Sequence, residues 1–148
     1  MVTVRHAYPA DLPEVAAFYH AAGYGGVVSP SDDLLLAEVD QSLTAVVRLA
    51  QEHGVTVLRG MRVAPAFQRQ GIGQRLLQAV DATLGLTPCY CVPYAHLVQF
   101  YGQIGFQEIA PAAAPPFLAE RLATYRRERP ESFTLMCRSG QPAGGVAA

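Results

Sequence analysis

The sequence predicts an α/β (α+β) domain with about six to seven strands and flanking helices, and three observations predict it. Two apolar runs, "DLLLAEVD" and "SLTAVVRLA", are separated only by Asp40 and Gln41, as in a hairpin of buried strands. From Ile72 to Leu84 apolar residues recur at every fourth position, the pattern of a helix packed by one face. Strand-like segments lie on both sides of that helix, and 148 residues suffice for one core burying about two thirds of the unfolded surface.

Taken in order, Val2 to Arg5 is a short strand, and Asp11 is placed to cap a helix, with Glu14 at capping-box spacing and Pro13 tolerated in the first turn. Val15, Phe18, Tyr19 and Ala22 then share one helical face. "GYGGVVSPSDD" is a Gly- and Pro-bearing loop of the kind that often faces substrate. The hairpin follows, then a turn at "QEHG" and a strand "VTVLRGMRV" that stops at Pro65. After "FQRQGIG" comes the helix carrying Ile72, Leu76, Val80 and Leu84, with Gln74, Arg75, Gln78 and Asp81 between them and Gly85 as its stop. "PCYCV" is a further strand, and Leu97, Phe100, Tyr101 and Ile104 mark a second packed helix closed by Gly105. "FQEIA" and "SFTLMCR" are the final strands, bracketing an Arg-rich helical insertion from Phe117 to Arg127. Residues 1–139 are expected to form the single domain, and the apolar-poor tail 140–148 to be disordered.

Composition narrows the function. With 51% hydrophobic residues, 16% charged and a formal net charge of -1, nothing advertises nucleic acid or an anionic membrane. All eleven basic residues are arginines, planar forks suited to carboxylates and phosphates, and lysine chemistry is excluded. Cys89, Cys91 and Cys137 have neither redox nor zinc spacing and read as apolar fillers. "MVTVRHAYPADLPEV" lacks a signal-peptide core, and no run approaches the ~18 apolar residues of a membrane span, so a cytoplasmic protein is expected.

The segment "VAPAFQRQGIGQRLLQAV" joins a strand to a helix through a Gly-x-Gly loop. A helix start leaves backbone N–H groups without intrahelical partners and carries partial positive charge, so an anion satisfies both. Gly71 and Gly73 let backbone approach a pyrophosphate, and Arg69 adds a cation at the mouth. A plain tight turn would use the same glycines, and both readings stand on the residues alone. The loop has neither the Lys-Ser/Thr ending of a P-loop nor the third glycine of the dinucleotide fingerprint.

Gln68-Arg69-Gln70-Gly71-Ile72-Gly73 resembles the Gln/Arg-x-x-Gly-x-Gly/Ala signature of the GNAT superfamily, the acetyl-coenzyme A dependent N-acetyltransferases. "FYGQIGF" is similar to the family's "fYeklGF" segment, and "RHAYPADLPEVAAFY" to its opening strand and first helix, so the resemblance spans roughly residues 1–139. It implies a mixed, mostly antiparallel sheet whose fourth and fifth strands splay apart around acetyl-coenzyme A, a co-substrate used without a metal. The pyrophosphate would sit on the amides of Gln68, Arg69, Gln70, Gly71, Ile72 and Gly73. The pantetheine arm would run beside Met61, Arg62 and Val63, where a strand amide polarises the thioester carbonyl. The family often has Asn seven residues before the Tyr of "fYek", and Tyr94 stands there instead.

Acetyl transfer to an amine needs a neutral amine, a polarised carbonyl and a proton for the departing thiolate. Tyr101 matches the family tyrosine that protonates the sulfur, against the alternative of a core aromatic on the same apolar stripe. Glu38, His53, His96 and Glu108 are open as general bases. Arg48, Arg59 and Arg62 could bind an acceptor carboxylate. The loop Gly23 to Asp33 is expected to border the acceptor, with Tyr24 touching it. The expected partner is a small-molecule amine, with neither nucleic acid nor membrane, and a homodimer is an open option. Protein N-termini are the alternative acceptors, a non-catalytic acyl-coenzyme A binding module the rival from another class, and a Rossmann-type domain a distant third.

Overall fold

The computed structural model describes residues 1–140, so the expected tail lies, from residue 141 on, outside the described residues. The chain divides into two compact units, Met1–Thr83 and Leu84–Ala148.

The first unit carries β1 (Val2–His6), α1 (Leu12–Ala21), β2 (Asp33–Val39), β3 (Ser42–Glu52), β4 (Val55–Val63) and nearly all of α2 (Ile72–Leu84). Its strands lie in the order β1-β2-β3-β4, each antiparallel to its neighbour. Both hairpins turn on two residues at positive φ, Asp40 (49°) with Gln41 (66°) and His53 (49°) with Gly54 (81°). That handedness matches the twist of the flanking strands, so chain reversal costs the sheet no splay. Val15, Tyr19, Leu34, Leu36 and Val46 form a buried core, with Phe18, Tyr24 and Val28 packed against it.

The start of α1 departs from the expected cap. A 3-10 turn, Pro9–Asp11, precedes the helix, and the Asp11 side chain makes no cap to α1. Its carboxylate instead takes both Nη groups of Arg5, at 2.8 and 2.9 Å, and the Tyr8 N–H at 2.7 Å. A bidentate charge-assisted pair is the stronger partner for a carboxylate, and it ties β1 to the helix entrance. Ala22, expected on the buried face, is the C-cap of α1 and is exposed.

The second unit carries β5 (Cys89–Cys91), α3 (Val98–Gly102), β6 (Phe106–Glu108), α4 (Pro116–Glu128) and β7 (Met136–Arg138), with β7 antiparallel to both β5 and β6. Leu118 and Leu122 seat the Arg-rich α4. Cys89 and Cys91 are buried, and burial pushes the Cys91 thiol well up, as an inert filler requires. No helix among the described residues is long and apolar enough to cross a membrane.

Candidate active site

The Gly-x-Gly loop begins where β4 ends. A 3-10 turn, Pro65–Phe67, follows Val63, and Gln68 folds back so that its Nε2 donates to the Val63 carbonyl at 3.0 Å. The backbone then turns through two residues at positive φ, Arg69 (64°) and Gly71 (81°), before α2 starts at Ile72. The Gly71 carbonyl accepts from the Arg75 N–H at 3.1 Å as the helix opens, which leaves the Ile72 and Gly73 amides without an intrahelical acceptor. Gln68, Arg69, Gln70 and Gly71 are exposed, while Ile72 is buried and anchors the first turn. A Cβ built on Gly71 meets no atom within 4 Å. The glycine therefore answers to backbone conformation and to an open outer face, and the loop offers bare backbone beside a helix start, which suits an anion.

A second feature lies upstream on β4. Arg62 pairs with Val46 and Arg59 with Arg48, so Gly60 and Met61 stand opposite Val47 alone. This is a β-bulge, made possible by Gly60 at φ 63°. Bulges interrupt ladder pairing and re-aim the residues beside them. The Tyr19 hydroxyl holds this one by donating to the Gly60 carbonyl at 2.8 Å, and burial keeps the Tyr19 phenol far above the ordinary tyrosine value, hence always a donor.

The loop Gly23 to Asp33 closes over the same point. Tyr24 packs on Tyr19 with ring centroids 4.4 Å apart, and an added Cβ on Gly60 would meet the Tyr24 Cζ at 3.0 Å. Arg48 fastens the loop, donating from Nε to Asp32 at 2.8 Å and from Nη1 to the Tyr24 hydroxyl at 2.6 Å. This ion pair is buried, with side chains 3% and 1% exposed. Arg62 completes the group, its guanidinium 5.2 Å from the Tyr24 ring centre. The sequence-predicted Tyr24 and Arg62 thus come together, beside Met61. Arg48 does not serve a ligand carboxylate, because Asp32 already occupies it, and Arg59 lies 3.5 Å from Glu52.

In the second unit Tyr101 lies on α3, 4% exposed, edge-on to Phe100 and Phe106. Tyr94 stacks between His96 and Phe133, with centroids at 5.6 and 4.9 Å. Of the bases considered, Glu38 is held by Arg5 at 2.8 Å, His53 sits in a hairpin turn, and His96 and Glu108 are exposed. Sequence reasoning missed Tyr19, Asp32 and Gly60. A glycine inside a strand signals a bulge, so Gly60 was findable, whereas Tyr19 and Asp32 are chosen by contacts remote in sequence.

The GNAT acetyltransferase domain model matches residues 30–108, which include the bulge, the loop and α2. No curated protein matches the chain by sequence. Among solved structures, Escherichia coli ElaA is similar with a TM-score of 0.71 at 17% identity, over 94% of this chain and 100% of that one. The N-acetylglutamate synthase from Neisseria gonorrhoeae, complexed with coenzyme A and N-acetyl-glutamate, is similar at 0.70 and 18% identity, over 96% of this chain but 36% of the synthase. The ribosomal-protein-S18-alanine N-acetyltransferase from Escherichia coli scores 0.68 at 20% identity, over 100% and 99%. With the fold shared and more than half the chain matched by the family model, this chain belongs to the GNAT acetyltransferases.

Proposed function

We propose that this chain transfers acetyl from acetyl-coenzyme A to the primary amine of a small molecule by direct attack in a ternary complex, as a single cytoplasmic domain over residues 1–139. The observation that carries the reading is the bulge at Gly60 and Met61, with Tyr24 and Arg62 gathered against it. The bulge takes Gly60 and Met61 out of the regular β3–β4 register, and with their carbonyls met by Tyr19 and Arg62 it is backbone N–H that would serve a ligand. Tyr24 of the loop above it presents a ring and a hydroxyl, and Arg62 of β4 a guanidinium, which are contacts on the scale of a small molecule.

The residues fit the donor. The exposed backbone of the Gln68–Gly73 loop, with Gly71 open to one side and the Ile72 and Gly73 amides at a helix start, suits a pyrophosphate. Met61, Arg62 and Val63 would lie along the pantetheine arm, pairing as an added strand does. Acetyl-coenzyme A supplies the activated acyl group when bound. An amide of Met61 to Val63 would polarise its carbonyl, and Tyr101 would protonate the departing sulfur, a role suited to a phenol that is neutral at pH 7.

Mass spectrometry after incubation with acetyl-coenzyme A and pooled amine metabolites tests the reading. An acetylated small amine supports it, products confined to peptide N-termini favour the protein acceptor, and bound acetyl-coenzyme A with no product identifies a non-catalytic module. For Tyr101→Phe, turnover should fall by about 10²-fold or more, with donor affinity and melting temperature little changed. Single-turnover rates within about threefold of wild type would remove Tyr101 from the mechanism.

A further inference from the structure

The arginines on the strands of the first unit are nearly all engaged with carboxylates. Arg5 is shared by Asp11 and Glu38, Arg48 is paired with Asp32, and Arg59 reaches Glu52. Arg62 differs. Its guanidinium lies over the Tyr24 ring and Nη1 donates to the Met61 carbonyl at 3.0 Å, but no carboxylate among the described residues pairs with it. Four of its five N–H donors are uncommitted to that carbonyl. The Tyr24 hydroxyl, accepting from Arg48, retains its own proton to donate. Both side chains are partly exposed. Because Asp32 and Arg48 cancel, Arg62 leaves one net positive charge at the bulge.

We infer that the acceptor amine carries a carboxylate, and that Arg62 with the Tyr24 hydroxyl holds it, which makes these two residues determinants of substrate choice. The inference rests on the acetyl-transfer reading for its place in a reaction. A planar fork plus one hydroxyl fits a carboxylate, which can take two guanidinium bonds and a third from the phenol. One excess positive charge matches a monoanion, whereas a phosphate dianion would bring a charge with no counterpart. The substrate class is therefore an amino acid or a similar aminocarboxylate.

The test has a binding arm and a turnover arm. In the first, the full chain saturated with coenzyme A is titrated calorimetrically with N-acetyl-α-amino acids, their carboxamides and O-phosphoethanolamine. At least one carboxylate should bind about 10- to 100-fold more tightly than its carboxamide, the scale of charge-assisted bonds, and Arg62→Gln should erase that ratio in protein kept saturated with coenzyme A. Arg62→Lys, which keeps charge and loses the fork, should recover part of it. Equal affinity for carboxylate and carboxamide, a preference for the phosphate, or discrimination that survives Arg62→Gln would overturn the inference. In the second arm, free α-amino acids should be acetylated with a KM that rises about 10- to 100-fold in Arg62→Gln while kcat changes less. Carboxylate discrimination in the binding arm with no amine acetylated would uphold Arg62 as the carboxylate site and defeat acetyl transfer, so the two failures are distinct.

Discussion

The Gln68–Gly73 loop and the β4 bulge both rest on a glycine at positive φ, yet they are built in opposite ways. Gly71 sits in open space, and its loop is shaped by bonds among residues close in sequence, Gln68 to Val63 and Arg75 to Gly71. Gly60 sits under two tyrosines and is held by Tyr19, forty-one residues away in the chain. The difference teaches where each kind of specificity comes from. A common anion can be met by a short self-contained segment of backbone. The proposed acceptor face instead gathers side chains from α1, the Gly23 to Asp33 loop, β3 and β4 onto one point.

The comparison breaks first if the buried ion pair does not hold the bulge together. Arg48→Ala would strand a carboxylate that is 1% exposed, and stability should drop by about 3–5 kcal/mol in chemical denaturation. The double change Asp32→Leu with Arg48→Met should regain most of that stability, since apolar residues of similar size replace a buried pair at little net cost. Catalysis should stay impaired in the double variant, because Tyr24 has lost the Arg48 Nη1 that fixes its hydroxyl. A double variant with wild-type turnover would show that the network serves folding alone.

Gly60→Ala is the next largest. The new Cβ would lie 2.8 Å from the Tyr19 hydroxyl oxygen at φ 63°, so conformation and contact both resist it, at about 1–3 kcal/mol. Turnover should fall with stability, because the same Cβ would lie 3.0 Å from Cζ of Tyr24, the ring proposed to face the acceptor. A folded Gly60→Ala variant with unaltered kcat and KM would detach the bulge from function.

That contrast also explains what could be read in advance. The strands, the two hairpin turns and α2 come from local signals, and Ile72, Leu76, Val80 and Leu84 are all buried as their spacing demands. The loop from Gln68 to Gly73 was legible for the same reason. Tyr24 was expected at the acceptor only because its loop was rich in glycine and proline, and its place against Arg62 is set by tertiary packing. The Asp32–Arg48 bond was not legible, since a carboxylate in "SDD" and an arginine in a strand each read as surface charge until the fold buries both. Asp11 misled for a related reason: Arg5 outcompetes the helix start for its oxygens.

At the Gln68–Gly73 loop the expected effect is smaller and confined to ligand. Gly71→Asp places a negative charge where the pyrophosphate is proposed to sit, and coenzyme A affinity should fall by at least ~1 kcal/mol, about fivefold, by calorimetry. Gly71→Asn, carrying the same backbone strain without the charge, separates conformation from electrostatics. Neither change should disturb the bulge, because nothing surrounds the Gly71 Cβ position. Equal coenzyme A affinity in wild type and both variants would leave the loop as a plain turn.

The smallest effect concerns acid, and it sets a local ion pair against the buried one. Arg5 and Asp11 are six residues apart and partly exposed, whereas Arg48 and Asp32 are sixteen apart and buried. The Arg5 side chain, helped by the Tyr8 N–H, lowers the Asp11 pKa from 3.8 to about 2. A carboxylate with a lowered folded-state pKa stabilises the fold fully above its unfolded value, and that contribution fades as pH falls through the folded one. Asp11 should therefore help stability above about pH 4 and cease to do so near pH 2. Denaturation midpoints of wild type and Asp11→Asn, measured from pH 6 down to the acid limit of the fold, should differ most at the upper end and converge across that window. A gap that stays constant with pH would mean the carboxylate acts through shape rather than charge, and the β1 tether would then owe nothing to its ionisation.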